Sequence, residues 1–305
     1  MTGPATDDGA ATAGTAATLA RVGSVLGTVV APATGVSALL FYFGYVSTRA
    51  QLAYFGVDVD VLGMATQDYV MRAPQPLLVP TLGLLLLTAA LVWADGRLRR
   101  WARDAGAGHV RAWQRALRAV GGTLVGAAGA LLLAYPAVGR WPPYALVTPV
   151  ALGLGALLLA RALTWAGADA LGAARGGTAP GTRTTAVVLV LVVVASVFWA
   201  AATLAQWSGL GQAKALARDL TRLPAVVVDT SEPLFPADPV VGQTVLAGPD
   251  GTATGQRFRY RGLRLLAEGD GRLFLVPERW SPAGSTYVVD PDDARVRFRF
   301  VDDPP

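Results

Sequence analysis

Long stretches without charge constrain this chain more than any other feature. Residues 22–46 carry no Asp, Glu, Lys or Arg. As a helix rising about 1.5 Å per residue, a run of that length crosses a hydrocarbon core of about 30 Å with some tilt. Four further apolar runs follow, at 77–94, 119–138, 144–165 and 184–207. The last contains Val187 to Val197 with hardly a break. A lone β-strand there would leave backbone groups without partners in lipid, whereas a helix satisfies its own. The pattern predicts a membrane α-helical bundle of about five transmembrane helices, with a small, mainly β, water-soluble domain at the C-terminus. The predicted divisions are a disordered cytoplasmic tail at 1–20, the helical domain at 21–208, and an extracytoplasmic helix plus β domain at 209–305.

Composition agrees with the membrane class. The chain is 53% hydrophobic and 15% charged, where soluble domains carry about 25% charged residues. It has no cysteine, which excludes disulfides, thiolate metal sites and a cysteine nucleophile. The formal charge is +5, but its distribution argues against a nucleic-acid footprint. Residues 1–208 hold 14 arginines against 8 acids, and residues 209–305 hold 12 basic residues against 13 acids. The excess belongs to the membrane half and reports topology.

Orientation follows from residues 97–118. Arg97, Arg99, Arg100, Arg103, Arg111, Arg115 and Arg118 crowd this loop, with Trp101 and Trp113 among them. The positive-inside rule places it in the cytoplasm. Alternation then makes the N-terminus cytoplasmic and puts loop 47–76, the tight 139–143 hairpin and the C-terminal domain outside. Residues 97–118 read either as a basic helix lying on an anionic leaflet or as a solvated loop that sets orientation. Arg161, inside the fourth run, is about one turn from its end and is expected to snorkel to the interface. The spans otherwise offer no buried acids or charge pairs, which counts against a proton-coupled transporter or pump.

Residues 41–72 are the least generic stretch. Tyr42-Phe43-Gly44 recurs as Tyr54-Phe55-Gly56. Aromatics at a span's end form an interfacial belt. Val57, Val59 and Val61 alternate with Asp58 and Asp60, predicting a short extended piece. A short helix is then expected from Thr66 to Arg72, with Thr66 as N-cap and Asp68 in its first turn. Asp58, Asp60 and Asp68 are weak candidates for an outward-facing hard-cation site, as against caps and solvated carboxylates. The blocks YFGYVSTRAQLAYFGVDVDVLG and TQDYVMR, with YRGLRLL at 260–266 and FLVPERW at 274–280, resemble uncharacterised actinobacterial multi-pass membrane proteins. That resemblance implies spans plus an exported tail, and brings no activity or catalytic residues with it.

Beyond the last span, Leu210, Leu216, Leu220 and Leu223 recur at near-helical spacing, predicting an amphipathic stalk ended by Pro224. Strands are expected at 225–229, 257–260, 263–267, 273–276, 286–290 and 295–300. Turns are expected at 248–251 and at Glu268-Gly269-Asp270-Gly271. Arg257, Arg259, Arg261, Arg264, Arg295, Arg297 and Arg299 read either as a basic face for lipid headgroups or an anionic envelope polymer, or as a face balanced by the acids. No nucleophile, P-loop, zinc or dinucleotide motif is present, and His109 is the single histidine. The expected role is a non-enzymatic integral plasma-membrane protein whose exported domain binds a partner. The alternative is an oligomeric channel or transporter subunit. No cofactor and no nucleic acid are expected. The expected partners are the lipid bilayer, an anionic lipid or envelope component, and a second copy of the chain.

Overall fold

A computed structural model describes residues 33–104, 107–173, 180–236, 238–246, 257–281 and 284–299. The expected tail at 1–20, the first part of the first span and the expected turn at 248–251 lie outside them. The chain is mostly helical. Helix α1 covers residues 33–53. A 3-10 turn follows at Val59–Leu62, then α2 at Thr66–Arg72, α3 at Pro74–Asp104, α4 at Ala107–Leu133, α5 at Tyr135–Val138, α6 at Tyr144–Ala173 and α7 at Pro180–Arg218. Within the described residues, four helical stretches are long and apolar enough to cross a membrane: Pro74–Leu98, Gly108–Leu133, Tyr144–Leu163 and Arg183–Arg218.

Helices α4, α6 and α7 form an antiparallel three-helix core. The Tyr144 hydroxyl donates to the Leu131 carbonyl at 3.3 Å. Farther down the same pair, Gly121 and Gly155 bring the backbones together, and a Cβ on either would stand 2.9 Å from the other's carbonyl oxygen. Small residues at a crossing allow this van der Waals approach in the absence of a hydrophobic drive between helices. Between α6 and α7 the Thr203 hydroxyl reaches the Ala145 carbonyl at 3.1 Å, and a Cβ on Gly153 would sit 2.9 Å from that of Ser196. Helix α1 runs parallel to α7, with Tyr42 and Phe43 ringed against Phe198 and Gly209 against the Ser47 carbonyl. Helix α3 packs loosely along α7, with no fully buried side chain from 77 to 98.

Several expectations are corrected. Helix α1 continues past 46 to 53, so the loop expected at 47–76 begins as helix. Residues 97–104 and 107–118 are helical, where a solvated loop was one expectation. They are the end of α3 and the start of α4. The spans are also not free of charge pairs. Asp95 of α3 meets Arg161 of α6 at 3.0 Å, with the carboxylate side chain only 18% exposed, so Arg161 has a partner where snorkelling alone was expected.

The stalk is real and continuous, since α7 runs unbroken to Arg218. Asp219 then caps a 3-10 turn at Leu220–Arg222 through the Thr221 N–H. Six strands follow: β1 Ala225–Thr230, β2 Gly242–Val245, β3 Phe258–Gly269, β4 Arg272–Pro277, β5 Tyr287–Val289 and β6 Ala294–Arg299. They form one antiparallel sheet ordered β5-β4-β3-β1-β6, with β2 also on β3. The two strands expected at 257–260 and 263–267 are one. Gly262, at φ +84°, carries the irregularity that let them read as two. There β2 leaves the edge of β3 and β4 takes it over. The expected tight hairpin is present. Asp270 and Gly271 take positive φ between the paired Gly269 and Arg272, as a two-residue primed turn requires.

The sheet's own core is Val226, Val228, Tyr260, Leu263, Leu273, Leu275 and Val289.

The Gly209–Ser47 approach generates a test. Gly209→Ala forces α1 and α7 apart and is expected to cost ~1–3 kcal/mol as overpacking. Gly211→Ala, where a Cβ meets nothing within 4 Å, lacks that clash and is expected to gain up to about 1 kcal/mol of helix propensity. Thermal unfolding of the two detergent-solubilised variants measures the difference.

Candidate functional site

Residues 52–72 and the sheet build one junction, and it begins with how α1 ends. The Val57 N–H donates to the Leu52 carbonyl and the Gly56 N–H to the Ala53 carbonyl, both at 3.1 Å, and Gly56 has φ +73°. This is a Schellman cap, with Val57 and Leu52 in the hydrophobic contact that accompanies it. The repeated triplet is therefore used twice for different ends. Gly56 stops the helix, whereas Gly44, inside it, gives the Tyr69 backbone room to press against α1.

The capped chain turns directly into the 3-10 helix. Two residues three apart share a face there, so Val59 and Leu62 are buried and Val61 is 45% exposed. The extended strand expected from Val57, Val59 and Val61 does not form. Phe274 of β4 packs into the cluster of Leu52, Val57, Val59, Leu62 and Tyr69. Gly269, at the end of β3, lies against the Leu62 backbone, where a Cβ would collide. Phe55 occupies a second cluster with Ala213 of α7, Leu220 and Val276 of β4. The Trp280 ring meets Phe55 edge-on at 5.0 Å, and the Thr286 hydroxyl donates to the Phe55 carbonyl. Helix α7, the 52–72 segment and β4 thus share side chains in two adjoining apolar clusters.

The carboxylates singled out in this segment serve its local folding. The Asp58 side chain accepts the Asp60 N–H at 3.2 Å, capping the 3-10 helix. Asp60 accepts the Tyr45 hydroxyl at 3.2 Å. Asp68 accepts the Ala65 N–H at 3.0 Å, and Ala65, not Thr66, is the N-cap of α2. Burial, with Asp60 nearby, pushes the Tyr69 hydroxyl above its usual range. Among the described residues, no group of three or more His, Asp or Glu is placed to hold a metal ion.

The C-terminal arginines are distributed between partners. Asp229, at a buried position of β1, takes Arg259 at 2.7 and 3.0 Å and Arg297 at 2.7 Å. A carboxylate beside two guanidiniums is held below its ordinary pKa, chiefly by the Arg259 hydrogen bond, and the Arg259 pKa rises in turn. Arg264 is buried and pairs with Glu278. It also donates to the Leu223 carbonyl at 3.0 Å, tying the end of the stalk to β3. Arg257, Arg261, Arg295 and Arg299 lie on or beside the same strands, and Arg261 and Arg295 are exposed.

At the opposite end of the helices, Arg97, Arg99, Arg100, Trp101 and Arg103 belong to the last turns of α3, and Arg111, Trp113, Arg115 and Arg118 to the first turns of α4. The Trp101 and Trp113 rings meet edge-to-face at 6.3 Å, which closes the helical hairpin. Sequence reading missed Asp95, Asp229 and Trp280. Asp229 did leave a signal, as one acid in the otherwise apolar run Ala225-Val226-Val227-Val228. Asp95 left none that spacing reveals, because its partner lies on another helix.

No family model, no curated protein and no solved structure matches the chain.

Asp229 predicts a pH dependence. A folded pKa below the unfolded value contributes stability that is fully present above about pH 4 and is lost as pH falls through the folded value. Asp229→Asn is expected to lower stability at pH 7 by roughly 1–3 kcal/mol and to flatten that acid limb. Unfolding curves of both proteins between pH 2 and 7, read on the sheet, check it.

Proposed function

We propose that this chain is a non-enzymatic, five-span plasma-membrane protein that presents its sheet domain, fixed in orientation, on the outer side of the membrane as a binding surface. The junction carries the reading. A domain meant only to be tethered needs a stalk, whereas here α7 is reinforced by the 52–72 segment packed against β4 and Trp280. Fixing a surface at a set height and angle to a membrane suits recognition of another envelope component.

The side chains of the helices support an anchor. The Thr148 hydroxyl donates within its own helix to Tyr144, and Thr203 bonds Trp199 and Ala145. The Asp95–Arg161 pair sits at the arginine-rich end of the bundle, where it joins α3 to α6. The carboxylates of the 41–72 segment are engaged in caps and in the Tyr45 contact, which supports a structural use over a catalytic one. The arginine cluster supports a cytoplasmic α3–α4 end, hence an exported sheet.

Absence of native cysteine makes the orientation directly measurable. Thr244→Cys in β2 is expected to react with a membrane-impermeant maleimide on intact cells, and Arg111→Cys only after permeabilisation. The reverse pattern overturns the orientation.

A further inference from the structure

Where α3 ends and α4 begins, a cavity of about 460 Å³ opens between the helices, lined by Trp93, Ala94, Leu98, Arg97, Trp101 and Trp113. Trp93, Arg97 and Trp101 are spaced four apart and so share one face of α3. The Arg97 guanidinium stands over the Trp93 ring, 5.7 Å from its centre, a cation–π placement that holds a flexible cation in position. Trp113 meets Trp101 at the far wall. Among the described residues the lining is apolar apart from one cation, Arg97. Below it, α3 has no buried side chain from 77 to 98.

We propose that this cleft binds one anionic phospholipid, with the phosphate at Arg97 and the start of an acyl chain along Trp93, Ala94 and Leu98. Three observations select this occupant. The cleft sits at the end of an apolar run, where tryptophan rings lie at headgroup depth in membranes. Its volume falls in the ~300–1,000 Å³ range of small-molecule sites, enough for a glycerophosphate and the first part of one chain, with the rest of the chain lying on the bare face of α3. Its charge is complementary, since residues 97–118 hold seven arginines and a single acid, Asp104. A zwitterionic headgroup meets the same apolar walls but gains less from that charge. The site rests on the membrane placement proposed above. It gives helix α3 a lipid that fills the gap beside α4.

Native mass spectrometry of the full chain in detergent tests the site, with equal dioleoylphosphatidylglycerol and dioleoylphosphatidylcholine added. One phosphatidylglycerol is expected to be retained about fivefold over phosphatidylcholine, the preference that one arginine at an anionic surface gives. Arg97→Gln should abolish the preference, and Trp101→Ala should reduce retention of phosphatidylglycerol. Arg140→Gln, at the opposite hairpin, should change neither. Dibutyrylphosphatidylglycerol, with the same headgroup and short chains, should not displace the long-chain lipid. Equal retention of the two lipids overturns the site. So does an Arg97→Gln result matching Arg140→Gln, unaltered retention in Trp101→Ala, or full displacement by the short-chain competitor. Recovery of the protein from membranes without detergent would instead overturn the membrane placement on which the site rests.

Discussion

The burial of Phe55 between α7 and β4, and of Val57, Val59 and Leu62 against Leu52, Tyr69 and Phe274 of β4, is the constraint on which the rest of the arrangement depends. Without it the sheet hangs from the end of α7 alone. The sheet's own core is a small cluster, and a small domain supplies limited stability by itself. The junction adds a second apolar surface to the sheet, on the side of Phe274 and Val276. The Schellman cap at Gly56 makes this possible, because it stops α1 abruptly enough for the next seven residues to fold back under β3 and β4. A helix ending one turn later would carry Val59 and Leu62 past the sheet.

The two ends of the helices are therefore built on different principles. At the sheet end, close backbone approaches lock α1 to α2 and α7, and β3 to the 3-10 helix: Gly44 on Tyr69, Gly209 on Ser47, Gly269 on Leu62. At the other end charge and tryptophan predominate. Asp95–Arg161 fastens α3 to α6, the Trp101–Trp113 contact closes the α3–α4 hairpin, and seven arginines gather around it. A low dielectric strengthens a pair such as Asp95–Arg161 but makes each unpaired member costly, so the pair is a strong specifier of where α3 can lie. Between these fixed points, from 77 to 98, α3 buries no side chain fully against its own chain.

How legible this was in the sequence depended on the range of the interactions involved. Apolar runs are local, so the four membrane-length helices of the described residues fell near their expected places. The Asp270-Gly271 hairpin was legible because two residues suffice to set a primed turn. The end of α1 was misplaced because Ser47, Thr48 and Arg49 look like the close of a span, while the cap that ends the helix is Gly56. The Val57-Val59-Val61 alternation resembled a strand, yet with Asp58 capping the turn the same residues close into a 3-10 helix whose buried pair is Val59 and Leu62. Strand β2 was missed because all four of its residues are exposed, leaving no alternation to read. The candidate carboxylates were found as residues, but only the fold shows that Asp58, Asp60 and Asp68 go to three separate hydrogen bonds. The charge pairs Asp95–Arg161 and Asp229–Arg297 join elements distant in sequence, and local pattern carries no record of them.

With the junction packed in this way, the sheet and the helices are expected to move as one body. A pulsed-EPR distance between spin labels at Arg140→Cys, on the hairpin between α5 and α6, and Arg295→Cys, on β6, decides this, because the chain supplies no competing cysteine. A single narrow distance distribution, the same in detergent and in bilayers, is the predicted result. A broad distribution spanning many ångströms in a folded, monodisperse sample would contradict it, and would reduce the sheet to a domain tethered by α7.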